Sequence, residues 1–342
     1  MDAQATQLLR ERTSLALDWL VSNLLELKTA SGTSVTVILP ALNEEATVAT
    51  IVRQIRQELM ASGGGPALVD ELVVLDSGST DRTAKVASEA GATVIHRDVV
   101  MPHIPTVPGK GEAMWRAVAA TTGDLVVFCD ADLRSFSTSY IVGLLGPLMT
   151  DPEVQLVKAV YERPLVGDRQ TMPAGGGRVT ELVARPLLNL HWPELAGVIQ
   201  PLAGEYAARR VLLERLPFAN GYGVDFALLI DTAELHGVRA IAQVDLGVRV
   251  HRHHDTARLG RMAAEIIQTA WTRIDGRDGS ADGPASKTHR AGTSLTQFER
   301  DADGYHTTSH DFVGLERPPL VTVPEYAAVS ATRPPASGPQ TP

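Results

Sequence analysis

The chain has 342 residues, with 40 acidic against 31 basic side chains and a formal net charge of −9. Affinity for a nucleic-acid backbone rests on clustered Lys and Arg, so this balance argues against a nucleic-acid partner. Hydrophobic residues make up 44% of the chain, enough for a sizeable core, yet no apolar run approaches the roughly 20 residues of a membrane span.

Residues 4–28 carry Leu8, Leu9, Leu15, Leu17, Leu20, Val21, Leu24 and Leu25 at helical spacing, which predicts one amphipathic helix. Charged residues at Asp2, Arg10, Glu11, Arg12 and Asp18 do not fit a signal peptide, and the single cysteine, Cys129, cannot form an intramolecular disulfide. A cytoplasmic protein is the expectation. Ser34 to Pro40 reads as a first strand, followed by a helix that buries Val48, Ile51, Val52, Ile55 and Leu59. Asn43 is placed to cap that helix, with Glu44 and Glu45 in its first turn. Asp70 to Asp76 is a second strand, and Thr80 or Asp81 caps a helix running through Ala90. Ala92 to Arg97 is a third strand, and a helix over about Gly109 to Thr121 leads to the apolar run Leu125–Cys129. Strands alternating with helices at this spacing predict right-handed βαβ units and a parallel sheet. Neither a Gly-x-Gly-x-x-Gly fingerprint after the first strand nor a Walker A loop at Gly109-Lys110-Gly111 is present.

Beyond that run, Ile141 to Leu148 reads as a helix and Val154 to Tyr161 as a strand. Gly167 to Gly177 is a loop with three consecutive glycines, which predicts mobility, and Arg178 to Leu190 is a helix interrupted or bent near Pro186. Leu202 to Ala208 and Ala240 to Val250 are strand material, with helices over Val224 to Leu235 and about Thr256 to Arg273. From Gly276 the composition turns to Gly, Ser, Thr, Asp and Pro, predicting an irregular arm and a disordered end.

The chemistry concentrates at Asp130-Ala131-Asp132, where a buried strand ends in two carboxylates one residue apart. The carboxyl ends of parallel strands are where ligands bind in open α/β sheets. An Asp-x-Asp there suits a hard divalent cation that shares its coordination with substrate phosphate. A pair of loop-capping acids is the other reading.

Several separate segments together resemble the GT-A-fold glycosyltransferases that use nucleotide sugars. They are Pro40-Ala41-Leu42-Asn43-Glu44, Asp76-Ser77-Gly78-Ser79-Thr80-Asp81, Gly109-Lys110-Gly111-Glu112 and Asp130-Ala131-Asp132. Gly175-Gly176-Gly177-Arg178-Val179-Thr180-Glu181-Leu182, Gln200-Pro201-Leu202-Ala203-Gly204-Glu205-Tyr206, Gly221-Tyr222-Gly223-Val224 and Val248-Arg249-Val250-His251-Arg252 narrow the resemblance to the actinobacterial glucosyl-3-phosphoglycerate synthases. It runs from about Ser34 to Val250, and more faintly through Leu295–Phe298 to Arg317–Pro319.

The resemblance implies an α/β fold of GT-A type, with a mostly parallel sheet flanked by helices and an acceptor-binding C-terminal half. It divides the chain into an N-terminal helix (1–33), a catalytic domain (34–275, with a nucleotide half 34–132 and an acceptor half 133–275), an arm (276–324) and a disordered tail (325–342). It places Pro40, Ala41, Leu42, Asn43, Glu44, Ser77, Lys110, Asp130 and Ala131 around the nucleotide, and Leu202, Gly204, Tyr222 and Asp225 at the donor sugar. Asp132 and His251 are the metal ligands it implies, for Mg²⁺ or Mn²⁺, with Asp132 and Asp225 as the residues nearest the chemistry. Gly177, Arg178 and Thr180 would receive 3-phosphoglycerate at a helix start, with His253 beside them. Arg163 on the acceptor side and Arg249 on the nucleotide-sugar side are further anion contacts or, equally, surface arginines in ion pairs.

Three positions depart from that family: Ala131 stands for Ser, Asp225 for Glu and His253 for Asn. The activity implied is retaining, metal-dependent transfer of glucose from UDP-glucose to the 2-hydroxyl of 3-phosphoglycerate by a homodimer that touches neither nucleic acid nor membrane. The alternatives are mannosyl transfer from GDP-mannose, because sugar choice turns on a few contacts, and a non-catalytic nucleotide-sugar-binding protein.

Overall fold

A computed structural model of the chain describes residues 2–61, 65–162, 165–166, 171–172, 177–248, 255–278, 292, 294–302, 304–312 and 316–330. Its central sheet has eight strands: β1 (Thr13–Leu15), β2 (Val35–Ala41), β3 (Glu71–Asp76), β4 (Thr93–His96), β5 (Leu125–Phe128), β6 (Leu156–Glu162), β7 (Tyr206–Arg209) and β8 (Ile241–Val248). They lie in the order β1-β8-β6-β7-β5-β2-β3-β4. β7 runs antiparallel to β5 and β6, and the remaining pairings are parallel. The mostly parallel sheet expected from the sequence is therefore present.

Strands buried on both faces read as near-continuous apolar runs, as β2, β3, β5 and β6 do. One face is covered by α2 (Val21–Ser31), α3 (Val48–Leu59), α4 (Thr83–Glu89) and α6 (Ser139–Thr150). The other is covered by α1 (Ala3–Glu11), α5 (Lys110–Ala120), α7 (Arg185–His191), α8 (Val224–His236) and α9 (Thr256–Asp278). α3 buries the five residues its spacing predicted, Val48, Ile51, Val52, Ile55 and Leu59. At roughly 1.5–3 kcal/mol per fully buried aliphatic side chain, these contribute on the order of 10 kcal/mol before ordering entropy is counted. Pro40, which has no N–H, is tolerated in central β2 because pairing to β5 ends at Ile38–Phe128. No helix among the described residues is long and apolar enough to cross a membrane.

The sheet reverses direction of growth between β2 and β5. β3 and β4 follow β2 on one side, and β5 lies on the other. That is a topological switch point, and it opens a crevice at the carboxyl ends of both strands.

Three expectations are corrected. Residues 4–28 are not one helix: α1 and α2 are separated by β1 and a 3₁₀ turn at Ala16–Asp18. β8 would otherwise present an unpaired edge, and Thr13–Leu15 complete its ladder while Gln243 Nε2 donates to Thr13 Oγ1 at 3.2 Å. Leu15, Leu17 and Leu20, counted towards an apolar helix face, are exposed. Asn43 does not cap α3, because a turn over residues 44–47 intervenes, and Glu44 and Glu45 fall outside the helix. The N-cap of α4 is Arg82 rather than Thr80 or Asp81, although Asp81 Oδ1, one residue before it, accepts from Thr83 N at 2.8 Å.

The third correction concerns the C-terminal region. A hairpin, β9 (Ser294–Asp301) and β10 (Gly304–Asp311), follows α9, and Glu316–Arg317 pairs with Phe218–Ala219. A short helix, α10 (Pro324–Ser330), occupies the start of the stretch expected to be disordered, because Leu320, Val323 and Tyr326 are buried at a three-residue spacing. The Gly-rich loop at 167–177 lies mostly outside the described residues, as does 331–342. Before Pro186 the helical segment widens to a π turn over Thr180–Ala184, with Arg185 N bonded to Thr180 O.

The C-terminal segment is clamped onto α5. Glu112 and Arg116 are fully buried, Glu112 accepts from both Arg116 and Arg317, and Trp115 Nε1 donates to Pro318 O at 2.9 Å. Arg116 also donates to Val100 O and, at 2.7 Å, to Ile104 O. Removing the acid from a buried pair strands its cations without compensation. Glu112→Gln is therefore expected to cost about 3–5 kcal/mol in urea unfolding; a loss under about 1 kcal/mol would show that the guanidinium groups are satisfied without the carboxylate.

Candidate active site

The crevice at the switch point has a volume of about 740 Å³ and is walled by the ends of β2, β3 and β5, the start of α5 and the outer face of α9. Pro40, Ala41, Leu42, Glu44, Ser77, Lys110, Asp130, Ala131, Asp132 and Tyr222, all singled out from the sequence, line it together. Ser77 N donates to Ala41 O at 2.9 Å, which ties the ends of β2 and β3 to one another.

Asn43 is the exception in its segment. It adopts φ +60°, a left-handed conformation that Asn tolerates better than most residues. Its Oδ1 accepts from Thr80 N at 2.8 Å, Glu44 N donates to Thr83 Oγ1 at 2.7 Å, and Glu45 N donates to Asp81 Oδ2 at 3.2 Å. Asn43 thus staples two loops and shapes the wall from behind it.

The charged centre is built by Lys110. As the first residue of α5 its ammonium opposes the helix dipole, and two carboxylates hold it there: Asp130 Oδ1 at 3.4 Å and Asp225 Oδ2 at 3.2 Å. Burial works against the lysine's charge, but Asp130 and Asp225 outweigh it and raise its pKa well above the usual lysine value. Gly204 sits against the pair, since a Cβ there would lie 2.5 Å from Asp130 Oδ2 and 2.8 Å from Lys110 Nζ. Only glycine allows so close an approach.

Asp225, in the first turn of α8, is buried, and its Oδ1 has no hydrogen-bond partner among the described residues. A buried, unpaired acceptor is costly, so this oxygen is arranged for a donor that arrives with a ligand. Beneath it lie Glu205, Tyr206 and Lys158, all buried. Burial, reinforced by Asp225, pushes the Tyr206 hydroxyl well above its ordinary pKa.

Asp132 is exposed at the crevice, two residues beyond Asp130 and on the same turn, where Thr47 Oγ1 donates to Ala131 O at 2.6 Å. Hard oxygen donors at a strand end fit a divalent cation of the Mg²⁺ or Mn²⁺ kind that takes further ligands from phosphate oxygens. Among the described residues no group of three metal-ligating side chains forms. His251, the second expected ligand, lies outside them, as do Arg163, Arg249 and His253.

Of the expected acceptor residues, Gly177 has φ +79° and leads into the helical segment, where Thr180 is buried and Arg178 exposed. None of the three lines the crevice, and Leu202 is half-buried against the α5 side of the core. Sequence reasoning missed Arg97, Arg258 and Glu265, which do line it. Arg258 Nη2 donates to Tyr222 Oη at 2.9 Å, and Tyr222 N donates to Glu265 Oε2 at 2.6 Å. They are remote in sequence and carry no local motif. Lys158 was also missed, although a lysine inside the apolar strand LVKAVYE was a visible anomaly.

The model of the family described as glycosyl transferase family 2 matches residues 36–190. The glucosyl-3-phosphoglycerate synthase of Mycolicibacterium smegmatis is 47% identical over 305 residues, 89% of this chain and 94% of its own. The crystal structure of the Mycobacterium tuberculosis glucosyl-3-phosphoglycerate synthase in complex with Mn²⁺, UDP-glucose and phosphoglyceric acid superposes with a TM-score of 0.75 at 44% identity, covering 89% of this chain and 95% of that one. The mannosyl-3-phosphoglycerate synthase of Rubrobacter xylanophilus superposes with a TM-score of 0.82 at 35% identity, covering 94% and 98%.

Lys110→Met would leave Asp130 and the buried Asp225 without their shared cation, at an expected cost of about 3 kcal/mol at pH 7. The gap to wild type is read from urea unfolding at pH 7. A gap under about 1 kcal/mol would show that the two acids do not depend on Lys110.

Proposed function

Because the chain belongs to the glucosyl-3-phosphoglycerate synthases, we propose that it transfers glucose from UDP-glucose to the 2-hydroxyl of 3-phosphoglycerate, with a divalent cation and with retention at the anomeric carbon. The observation that carries this reading is the Lys110–Asp130–Asp225 centre, with Asp225 Oδ1 buried and without a hydrogen-bond partner among the described residues.

Pro40, Ala41, Leu42, Glu44 and Ser77 hold the nucleoside end of the donor along the carboxyl edges of β2 and β3. Lys110 faces the diphosphate, and Gly204 and Asp225 receive the hexose. Asp132, with His251, would hold Mg²⁺ or Mn²⁺, which when bound supplies positive charge against the departing diphosphate. Arg178 and Thr180, at the start of the helical segment after Gly177, take the acceptor's phosphate and carboxylate. The anomeric C–O bond to the phosphate breaks and the acceptor 2-oxygen bonds to the same face. Its proton passes to the departing phosphate oxygen. Asp225 binds hydroxyls in this scheme and is not a nucleophile; a glycosyl-enzyme trapped on it, or an inverted product by NMR, would overturn the scheme.

A cytoplasmic homodimer is part of the same proposal, with the exposed Leu17 at the N-terminus and Phe298 and Tyr305 on the β9–β10 hairpin as the contact surface. The mannosyl reading has one observation in its favour, the superposition on the Rubrobacter enzyme.

Product formation from 3-phosphoglycerate is expected with UDP-glucose and Mg²⁺, to be lost with EDTA, and to be much slower with GDP-mannose. Asp132→Asn is expected to raise the barrier by about 3 kcal/mol, roughly 100-fold in turnover. Preference for GDP-mannose would change the donor and keep the site; no turnover with either would refute the acceptor assignment at Arg178 and Thr180.

A further inference from the structure

Lys158 is placed where a lysine costs the most. It lies in the middle of β6, is 1% exposed, and is flanked in its strand by Val157 and Ala159. Its cross-strand neighbours are Tyr206 on β7 and Gln243 on β8. An ammonium taken out of water needs partners. Among the described residues Lys158 Nζ donates to Ala203 O at 2.7 Å and sits 4.6 Å above the Tyr206 ring. The accepting carbonyl belongs to the turn that ends in Gly204, which packs against Asp130 and Lys110. Lys158 thus grips the turn whose Gly204 packs against Lys110 and Asp130, two residues that line the crevice.

We propose that Lys158 is a positioning residue for the donor sugar, holding the Leu202–Gly204 turn through the Ala203 carbonyl and offsetting the negative charge gathered at Asp225, Glu205 and Asp130. This rests on the reading of the crevice as a UDP-glucose site. The charged form is the one that acts, because a neutral amine is the weaker donor and leaves the acids without their second cation.

The groups facing Lys158 are Lys110 from α5, Asp130 after β5, Glu205 and Tyr206 at the start of β7, and Asp225 from α8, with neutral Gln243 from β8. Burial lowers the lysine pKa to about 8; Lys110 pushes it the same way, while Asp225, Glu205 and Asp130 oppose. The sign follows directly. Lys158 is charged below that value and loses its proton as pH rises through it, so donor use declines towards alkaline pH.

The test uses the full chain with Lys158→Met and Lys158→Arg. Calorimetric binding of UDP-glucose and of UDP, each with Mg²⁺, is measured without acceptor, and turnover is followed from pH 6.5 to 9.5. Lys158→Met is expected to weaken UDP-glucose about tenfold while changing UDP less than about twofold, and to lower kcat about tenfold or more. Wild type is expected to show an alkaline limb near pH 8, absent in Lys158→Met and moved upward in Lys158→Arg, which keeps the charge and recovers part of kcat. Intact UDP binding in Lys158→Met reports an intact crevice. A Lys158→Met protein that matches wild type in UDP-glucose affinity and keeps the alkaline limb would overturn this proposal alone. A wild type that fails to bind UDP-glucose would overturn the functional reading and this proposal with it.

Discussion

One ammonium group organises the catalytic half of this molecule. Lys110 Nζ joins Asp130, at the end of a central strand, to Asp225, at the start of a helix 115 residues further along the chain. Without a cation between them the two carboxylates would repel in a poorly solvated space, and both α8 and the turn after β5 would have to move apart. The position of Lys110 as the first residue of α5 is unfavourable towards the helix dipole. The acids more than compensate, so the site is a place where local helix preference yields to tertiary electrostatics.

The helix that presents this lysine is itself held from outside. Arg317 from the C-terminal segment and Arg116 from α5 converge on the buried Glu112, one turn or less from Lys110. Trp115 donates to Pro318 on the same side. Buried ion clusters are weak evidence for net stability but fix geometry well, because breaking them is expensive. Here the cluster couples the segment around Arg317 to the orientation of the helix that carries Lys110. The loop over Val100 to Ile104, which leads on from the crevice residue Arg97, is fastened by the same Arg116.

The antiparallel strand β7 explains how two halves of the chain meet. Tyr206, at its start, pairs with Phe128, at the end of β5. An antiparallel insertion therefore delivers the residues that precede it, Leu202 to Glu205, to the carboxyl edge where Asp130 lies. In a wholly parallel sheet they would enter at the opposite edge, far from the crevice. The close approach of Gly204 to Asp130 follows from this one reversal, and a larger residue there would displace the Asp130 carboxylate or the Lys110 ammonium.

Alternating strand and helix periods, together with the Asp-x-Asp at a strand end, were sufficient to read the α/β class, the parallel sheet and the edge that carries chemistry. The reason is that each rests on local pattern: apolar runs for doubly covered strands, three-and-four spacing for α3, turn chemistry around Ser77 to Asp81. Segments of low apolar content misled that reading. The apolar residues that 316–330 bury against the body of the domain are Leu320, Val323 and Tyr326, and Thr13–Leu15 become a strand because β8 offers a free edge. Asn43 looked like a helix cap because capping depends on neighbours in sequence, whereas its actual partner, Thr80, comes from another loop. Lys158, Arg258 and Glu265 reach the site only because distant strands and α9 converge there. Local sequence determines which segments become strands and helices and which of their ends carry acid, but which charges face one another is decided by packing, since Coulomb interactions act through space and carry no periodic signature along the chain.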